Sequence, residues 1–238
     1  MTVEHSLVAD RPRPSRTLGP ARLAWIFAGV AAVALTFVPA LDLTAAGWFY
    51  DPVGHFFPIR MQAWAEWVRH GLPVWILGGL AATVLLWGLG RLLRRPIIPV
   101  TDKAVLFLVL TMALGPGLTV NVILKDHWGR PRPSTVTEFG GPYAYRPPVI
   151  PGGPCANNCS FPSGHASLGF WMAAPAMLAG KRRRKMTIPV AIGFGALVGV
   201  VRMAQGGHFL SDVVYSGLIT VGIITILHSA LIARSGKS

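Results

Sequence analysis

The sequence predicts an all-α membrane protein, built as one bundle of six transmembrane helices with both termini on the cytoplasmic side. Of its 238 residues, 52% are hydrophobic and 13% are charged, which is about half the charged fraction of an average globular chain. The apolar residues form runs long enough to cross a bilayer. The 22 basic residues outnumber the 9 acidic ones and fall mainly on alternate loops between those runs.

Six apolar runs meet the length of about 20 residues that a transmembrane helix requires. Their approximate bounds are 21–41, 72–90, 104–124, 163–180, 186–202 and 210–233. Runs this long and this rich in Leu, Ala and Gly disfavour strands. We therefore expect residues 1–238 to form a single membrane-embedded domain, with residues 1–20 as a cytoplasmic tail. No cleavable signal peptide is expected, because the basic N-terminal stretch precedes a full-length apolar run.

The distribution of charge predicts the orientation, because Lys and Arg concentrate on the cytoplasmic side of membrane proteins. Fifteen of the 22 basic residues fall in the N-terminal tail, in the second and fourth inter-run loops, or at the C-terminus. The net charge is then +12 on the cytoplasmic side and +1 on the outer side. The net charge of +13 therefore indicates membrane topology and not a basic surface for nucleic acid. No nucleic-acid partner is expected.

The first outer loop, residues 42–71, carries apolar side chains at helical spacing. They are Met61, Trp64, Ala65 and Val68, with Trp67 beside them. This pattern predicts an amphipathic helix in the outer interface, with its tryptophans at headgroup depth. Two interpretations remain open: an aromatic belt that only anchors the protein, or a lip that guides a lipid headgroup towards a site.

Charged and polar residues on the outer side cluster at the ends of three runs. The clusters are Lys125, Asp126, His127, Arg130 and Arg132 after the third run, Ser163, Gly164 and His165 at the start of the fourth, and Arg202, His208 and Asp212 between the fifth and sixth. Ionisable residues in such positions are costly and usually functional. The predicted topology brings all three clusters to one membrane face.

The cations and the predicted helix start favour a phosphoryl group as ligand. Lys125, Arg132 and Arg202 supply three positive charges, and each guanidinium can hold an oxyanion through two hydrogen bonds. Ser163 and Gly164 open a predicted helix, where free N–H groups and the helix dipole attract anions. No metal or other cofactor is expected, because the sequence has neither a carboxylate cluster for magnesium nor a glycine-rich nucleotide loop.

His165, His208 and Asp212 add acid–base and nucleophilic groups to this site. His208 and Asp212 are four residues apart, hence on one face of a helical turn. A carboxylate that accepts from one imidazole nitrogen leaves the other free to attack, so His208 is predicted as the nucleophile and Asp212 as its partner. His165 is predicted to act as general acid and then as general base. Taken alone, His208 and Asp212 could also be a purely structural pair.

These residues resemble the three motifs of the type 2 phosphatidic acid phosphatase superfamily: Lys-x6-Arg-Pro, Pro-Ser-Gly-His and Ser-Arg-x5-His-x3-Asp. The motifs span residues 125–212, and ten fixed positions match in order and spacing. They are Lys125, Arg132, Pro133, Pro162, Ser163, Gly164, His165, Arg202, His208 and Asp212. One position departs, because Val201 stands where the family has a serine; this removes a hydroxyl contact and leaves the predicted clamp and nucleophile intact.

The resemblance implies a six-helix fold and metal-independent hydrolysis of a lipid phosphomonoester or pyrophosphate through a phosphohistidine. We expect a bacterial inner-membrane protein whose site faces the periplasm, because the three motifs converge on one membrane face. Segments 128–133, 139–141 and 155–161 are similar to those of lipid A phosphatase-type members. Undecaprenyl pyrophosphate phosphatases share the same core motifs, so the choice of lipid phosphate stays open, as does the oligomeric state. Arg130 has no motif position and is predicted either to support the site or to contact the substrate headgroup.

Cys155 and Cys159 lie in the second outer segment, in the long loop of residues 133–161, shortly before the phosphate-binding turn. An oxidising periplasm permits a disulfide that would stiffen this turn, and two free thiols are the alternative. The pair also raises a rival function, a membrane thiol–disulfide oxidoreductase, although a Cys-x3-Cys spacing without a second pair disfavours it. A non-catalytic transporter of anionic lipids is a second rival; it would explain the cations but not the pairing of His208 with Asp212, and transporters usually place charged sites near the bilayer midplane.

Overall fold

A computed structural model describes residues 19–233 of the chain. Most of the predicted cytoplasmic tail and the basic C-terminal residues Arg234 and Lys237 lie outside this range. The described residues are mostly helical and form no strand beyond two isolated bridges, which confirms the all-α class. The helices are α1 (Pro20–Phe37), α2 (Pro39–Gly47), α3 (Ala63–Leu92), α4 (Asp102–His127), α5 (Gly164–Trp171), α6 (Ala173–Leu178), α7 (Lys181–Ala204) and α8 (Leu210–Leu231).

Four helices, α3, α4, α7 and α8, are long and apolar enough to cross a membrane. A fifth crossing is present if α1 and α2 count as one broken span, since the two meet at an angle of 93°. These five segments overlap the predicted runs 21–41, 72–90, 104–124, 186–202 and 210–233. The remaining predicted run, 163–180, is not a single long helix in the structure.

Two of the predicted runs are interrupted at prolines. Pro39 lacks a backbone N–H, and the residue before a proline disfavours helical geometry. Val38 accordingly has φ −120° and ψ 82°, and α1 ends there. In the same way Pro175 offers no N–H to the carbonyl group of Trp171, the last residue of α5, so α5 and α6 are separate short helices.

The helix expected in the first outer loop exists, but it continues into the next span. Helix α3 runs unbroken through 30 residues from Ala63 to Leu92, with Pro73 inside it. Near its start Ala65 is fully buried, while Trp64 and Trp67 are more than half exposed. The predicted helix is therefore present from Ala63, while Met61 precedes it in a short 3-10 turn, and of the predicted apolar face Ala65 is the residue that is fully buried.

Close packing between α5 and α7 brings two of the motif-bearing segments together. A side chain on Gly169 of α5 would place its Cβ 2.9 Å from the Cα atom of Gly195 of α7, so the two backbones touch. Trp171, also on α5, donates through Nε1 to Thr111 Oγ1 of α4 at 3.0 Å. Large apolar side chains such as Phe27 and Trp75 instead stay exposed on α1 and α3 and face the lipid in our interpretation.

The segment between α4 and α5, residues 128–163, closes the end of the bundle at which α4 ends and α5 begins. Its Val136 and Phe139 pack against Phe57 from the first outer loop and Phe209 at the start of α8. The segment also contains a disulfide between Cys155 and Cys159, which confirms the bonded alternative. This cap fixes the loop residues that surround the three polar clusters.

Candidate active site

His208 lies in the turn between α7 and α8 and is fully buried. Its Nδ1 atom is 2.7 Å from the backbone carbonyl oxygen of Ser160 and 3.7 Å from Asp212 Oδ2. Because a carbonyl only accepts, Nδ1 carries the proton and Nε2 keeps its lone pair. Nε2 is buried and has no hydrogen-bond partner among residues 19–233. Burial lowers the pKa of His208 to about 3, so the ring is uncharged at neutral pH.

The sequence predicted Asp212 as the acceptor for His208, and the structure places the Ser160 carbonyl group in that position. The carboxylate of Asp212 instead accepts from Ser160 Oγ at 2.5 Å, from the backbone N–H of Phe209 at 2.8 Å, and from Arg130. Asp212 thus orients His208 through Ser160. The Ser160 hydroxyl donates to Asp212, and the Ser160 carbonyl oxygen accepts from His208 Nδ1–H.

Arg130 is the centre of a fully buried network beneath this pair. Its guanidinium donates to the Arg146 carbonyl group at 2.8 Å, Ser211 Oγ at 2.8 Å, Asp42 Oδ2 at 2.8 Å, Tyr145 Oη at 3.2 Å, and Asp212. Asp42 and Asp212 are also fully buried, so one cation lies between two carboxylates. Of the two roles left open for Arg130, the structure favours support of the site.

Lys125, Arg132 and Arg202 lie close enough for their charges to interact, as the motif spacing predicted. Lys125 and Arg202 are buried, and Arg202 Nη1 donates to Gln205 Oε1. Arg132 donates through Nε and Nη2 to the carbonyl oxygen of Asn158, at 3.1 and 2.6 Å. Asn158 belongs to the loop closed by the disulfide, which therefore restrains one wall of the cationic cluster.

Ser163, Gly164 and His165 start α5 beside these cations. Ser163 is the N-cap, and its Oγ atom accepts from the Ala166 N–H at 3.4 Å. Its own N–H donates to the Asp212 carbonyl group at 3.3 Å, so the first-turn amides left for an anion are those of Gly164 and His165. A Cβ on Gly164 would collide with Oδ1 of Asn121, so a larger residue here would require the Asn121 side chain to move.

His165 is half-buried, and its Nε2 atom is 2.7 Å from the backbone carbonyl oxygen of Arg69. This contact with α3 fixes the ring, with Nε2 as the protonated nitrogen. The charges of Arg202, Lys125 and Arg132 all reach His165. All eight predicted site residues therefore meet at one end of the bundle.

The structure adds two arginines that the motifs do not contain. Arg60 and Arg69 line a cavity of about 30 Å³ together with Arg132, Ser134, Arg202, Gln205, Gly206 and Gly207. On α3, Glu66 pairs with Arg69 at 3.4 Å and accepts from Gln205 Nε2 at 3.3 Å. The outer part of α3, interpreted from sequence as a belt or lip, thus contacts the cationic cluster directly.

Other residues that complete the site carried weaker signals in the sequence. Asp42 was detectable as a carboxylate at the end of an apolar run, a placement that usually indicates function. The role of Ser160 could not be predicted, because serines are common in loops and because its contact with His208 is made by the backbone carbonyl group. Arg60 and Arg69 were visible only as outer-face charges without a motif.

Taken together, the site combines an uncharged buried histidine with a free Nε2 atom and a cluster of cations, an arrangement suited to covalent phosphoryl transfer. Comparison with known proteins agrees with this class. Residues 104–235 match the PAP2 superfamily, and the chain belongs to that superfamily, the type 2 phosphatidic acid phosphatases. It is a membrane lipid phosphatase, an enzyme that hydrolyses phosphoric ester bonds.

Its relatives include three lipid A 4'-phosphatases. The chain is 37% identical over 215 residues to the one from Francisella tularensis subsp. novicida, covering 89% of this chain and 91% of that protein. It is 36% identical over 116 residues to the one from Rhizobium etli, covering 49% of this chain and 45% of that protein. It is also 36% identical over 117 residues to the one from Rhizobium leguminosarum, covering 49% of this chain and 50% of that protein. No solved structure matches the chain.

Proposed function

We propose that this enzyme removes a phosphate group from lipid A at the periplasmic face of the bacterial inner membrane, through a phosphohistidine on His208. The observation that carries the chemistry is the buried Nε2 atom of His208, which has no partner among the described residues and lies near Lys125 and Arg202. The relatives support the choice of substrate, because one that aligns with 89% of this chain is a lipid A 4'-phosphatase.

In the first proposed step, His208 Nε2 attacks phosphorus, and the bond from phosphorus to the lipid oxygen breaks. His165 donates a proton to that oxygen, which leaves as the lipid alcohol. Because the Arg69 carbonyl group binds Nε2–H of His165, the ring must enter this step as an imidazolium with a second proton on Nδ1, and that Nδ1 proton is the one transferred. The negative charge of the bound phosphate would favour this charged form. Asp212 and Ser160 stabilise the positive charge that develops on His208.

In the second step, water attacks phosphorus and the bond to Nε2 breaks, which releases inorganic phosphate. His165 Nδ1 accepts the proton from water and is ready for another cycle. Lys125, Arg132 and Arg202 bind the phosphoryl oxygens throughout and supply the countercharge, so the proposed reaction needs no metal. Within residues 19–233 no group of three or more His, Cys, Asp or Glu side chains is placed to hold a metal ion.

The proposed topology has six crossings, with the broken pair α1–α2 as the first and α5–α6 together as the fourth. Both termini then lie in the cytoplasm, and the basic run 181–185 at the start of α7 marks the cytoplasmic side. This arrangement places the active site at the periplasmic end, where the disulfide of Cys155 and Cys159 is also stable.

We expect the purified protein to release inorganic phosphate from lipid A in mixed micelles, with full activity in the presence of a chelator. Vanadate, which mimics pentacoordinate phosphorus, should inhibit competitively by occupying the cationic cluster. The measurement is phosphate release from a panel of lipid A, undecaprenyl pyrophosphate and phosphatidate. If every substrate stays intact while an anionic lipid still binds, the protein would be the transporter considered as a rival.

The disulfide allows a direct test of the oxidoreductase alternative. In the variant Cys155→Ser/Cys159→Ser we expect lipid phosphate hydrolysis to fall by less than about tenfold, because Asn158 would hold Arg132 less firmly while His208 and the other cations remain. Thermal stability should also decrease. Phosphate release and the unfolding temperature are measured for both proteins, and complete loss of hydrolysis in a folded variant would show that the thiols take part in catalysis.

A further inference from the structure

The cavity between α3 and the catalytic loops contains more positive charge than one phosphoryl group requires. Arg132 and Arg202 form one side, next to the proposed position of the scissile phosphate. Arg60 and Arg69 form another side and belong to none of the phosphatase motifs. Four guanidinium groups therefore surround a space of about 30 Å³, in addition to Lys125 nearby.

These arginines repel one another in the absence of an anion. Burial and the charge of Arg69 lower the pKa of Arg132, and Arg60 adds to the same effect. Glu66 pairs with Arg69, but Glu66 does not line the cavity and also accepts from Gln205. Such a concentration of like charge is unfavourable unless a ligand with matching negative charge occupies it.

Two further features indicate that the cavity is prepared for a ligand. Arg202 is 3% exposed, and its Nε atom has no hydrogen-bond partner among residues 19–233, although a buried donor of this kind is normally satisfied. The other side of the same guanidinium is fixed by Gln205, which Glu66 holds in turn. The chain Glu66–Gln205–Arg202 therefore orients one arginine and leaves a donor unused.

The walls of the cavity set the distance of the second anion from the first. Arg132 and Arg202 serve the proposed scissile phosphate and also line this cavity, so an anion inside it lies directly beside that phosphate. A group at the far end of a large glycolipid could not occupy both positions. The second anionic group must therefore be bonded directly to the scissile phosphate or attached to a neighbouring atom of the same substrate molecule.

We propose that Arg60 and Arg69 form a second anion subsite, which binds a phosphate or carboxylate adjacent to the scissile phosphate of the substrate. The proposal rests on the proposed function and on the assignment of Arg132 and Arg202 to the scissile phosphate. It deepens that function by predicting that the preferred form of lipid A carries a second anionic group next to the scissile phosphate. A diphosphate ester supplies the second group as a directly linked phosphate. A monophosphate beside a sugar carboxylate supplies it as a carboxylate.

The test is the binding of three small non-hydrolysable probes to the purified full-length protein, measured by calorimetry. Methylphosphonate has one anionic group, methylenediphosphonate has two linked phosphonates, and phosphonoacetate has a phosphonate next to a carboxylate. We expect methylenediphosphonate to bind about tenfold or more tightly than methylphosphonate, as one additional charge-assisted pair of hydrogen bonds would give. In Arg60→Gln and in Arg69→Gln this advantage should disappear, with methylphosphonate affinity unchanged within about twofold.

The matched control is Arg146→Gln, which removes the same charge from the same membrane face. The Arg146 side chain donates to the Pro151 carbonyl group at 3.2 Å and does not line the cavity, so the preference for two anions should persist. Phosphonoacetate that binds as tightly as methylenediphosphonate identifies a carboxylate as an acceptable second group, and weak binding identifies a phosphate.

Equal affinity of the wild-type protein for methylphosphonate and methylenediphosphonate would overturn the subsite. It would also be overturned if Arg60→Gln and Arg69→Gln weakened both probes equally, since the two arginines would then hold a single phosphate. Binding of these probes needs no turnover, so the result is independent of the phosphohistidine step. Conversely, a protein that hydrolyses lipid A without any preference for two anions would keep the proposed function and lose only the subsite.

Discussion

The variant His208→Ala should release phosphate from lipid A at least about 10³-fold more slowly than the wild-type protein, since loss of a covalent nucleophile costs roughly 10⁶-fold in well-studied hydrolases. The expectation follows from the free Nε2 atom and from the low pKa of about 3, which keeps the ring uncharged and nucleophilic at pH 7. Because the cations remain, vanadate should still bind. The measurement is the initial rate of phosphate release, together with vanadate affinity.

A direct search for the intermediate makes this prediction sharper. When the wild-type protein is quenched during turnover of ³²P-labelled lipid A, the label should appear on the protein through a bond that acid cleaves and alkali spares. His208→Ala should carry no such label. His127→Ala is the matched control, because His127 is exposed and bonds only to carbonyl groups of its own helix, so rate and labelling should stay normal. Labelled protein from His208→Ala would mean that another residue is the nucleophile.

The sequence was sufficient to predict which side chains meet at the candidate site, because that prediction depends on side-chain type and spacing. Lys125, His165 and His208 lie at positions set by where helices begin and end, and those ends follow from the apolar runs. The contact between Nδ1 of His208 and the Ser160 carbonyl group could not be predicted in this way. Every residue has a carbonyl group, and only the folded loop determines which one meets the ring.

Helix continuity was the weakest part of the sequence prediction, since it depends on single prolines in different contexts. Pro39 begins α2 after the break at Val38, and Pro175 lies in the first turn of α6 after the break at Met172, whereas Pro73 and Pro189 lie within α3 and α7 without interrupting them. Hydropathy averages over about 20 residues and does not distinguish these outcomes. The continuity between the first loop and the second apolar run was not predicted for the same reason, since hydropathy assigns them to separate segments although both belong to α3.

The disulfide loop and the first turns of α3 each contact the cationic cluster. Asn158, inside the loop closed by Cys155 and Cys159, accepts from Arg132. Glu66 on α3 reaches Arg202 through Gln205. Both contacts come from residues outside the three motifs, so motif spacing could not predict them.

Replacement of Arg130 should have the largest effect on stability, because it leaves two buried carboxylates without their cation. We expect Arg130→Gln to lower the free energy of unfolding by about 3–5 kcal/mol, the usual cost of breaking a buried ion pair. The matched control is Arg91→Gln, which breaks an exposed pair with Asp102 at 3.4 Å and should cost at most about 1 kcal/mol. Thermal unfolding in detergent, followed by circular dichroism, measures both.

A second substitution separates the charge effect from simple loss of packing. Asp42→Asn alone should destabilise the protein, since Asp42 accepts from Arg130 Nη2 at 2.8 Å and from Tyr145 Oη at 3.0 Å. In the Arg130→Gln background the same change removes an unpaired buried carboxylate and should raise the unfolding temperature. This reversal of sign is the expected mark of a network held by charge. Purely additive effects would contradict it and would reduce Arg130 to a packing residue, leaving Asp212 to depend on Ser160 and the Phe209 N–H for its position.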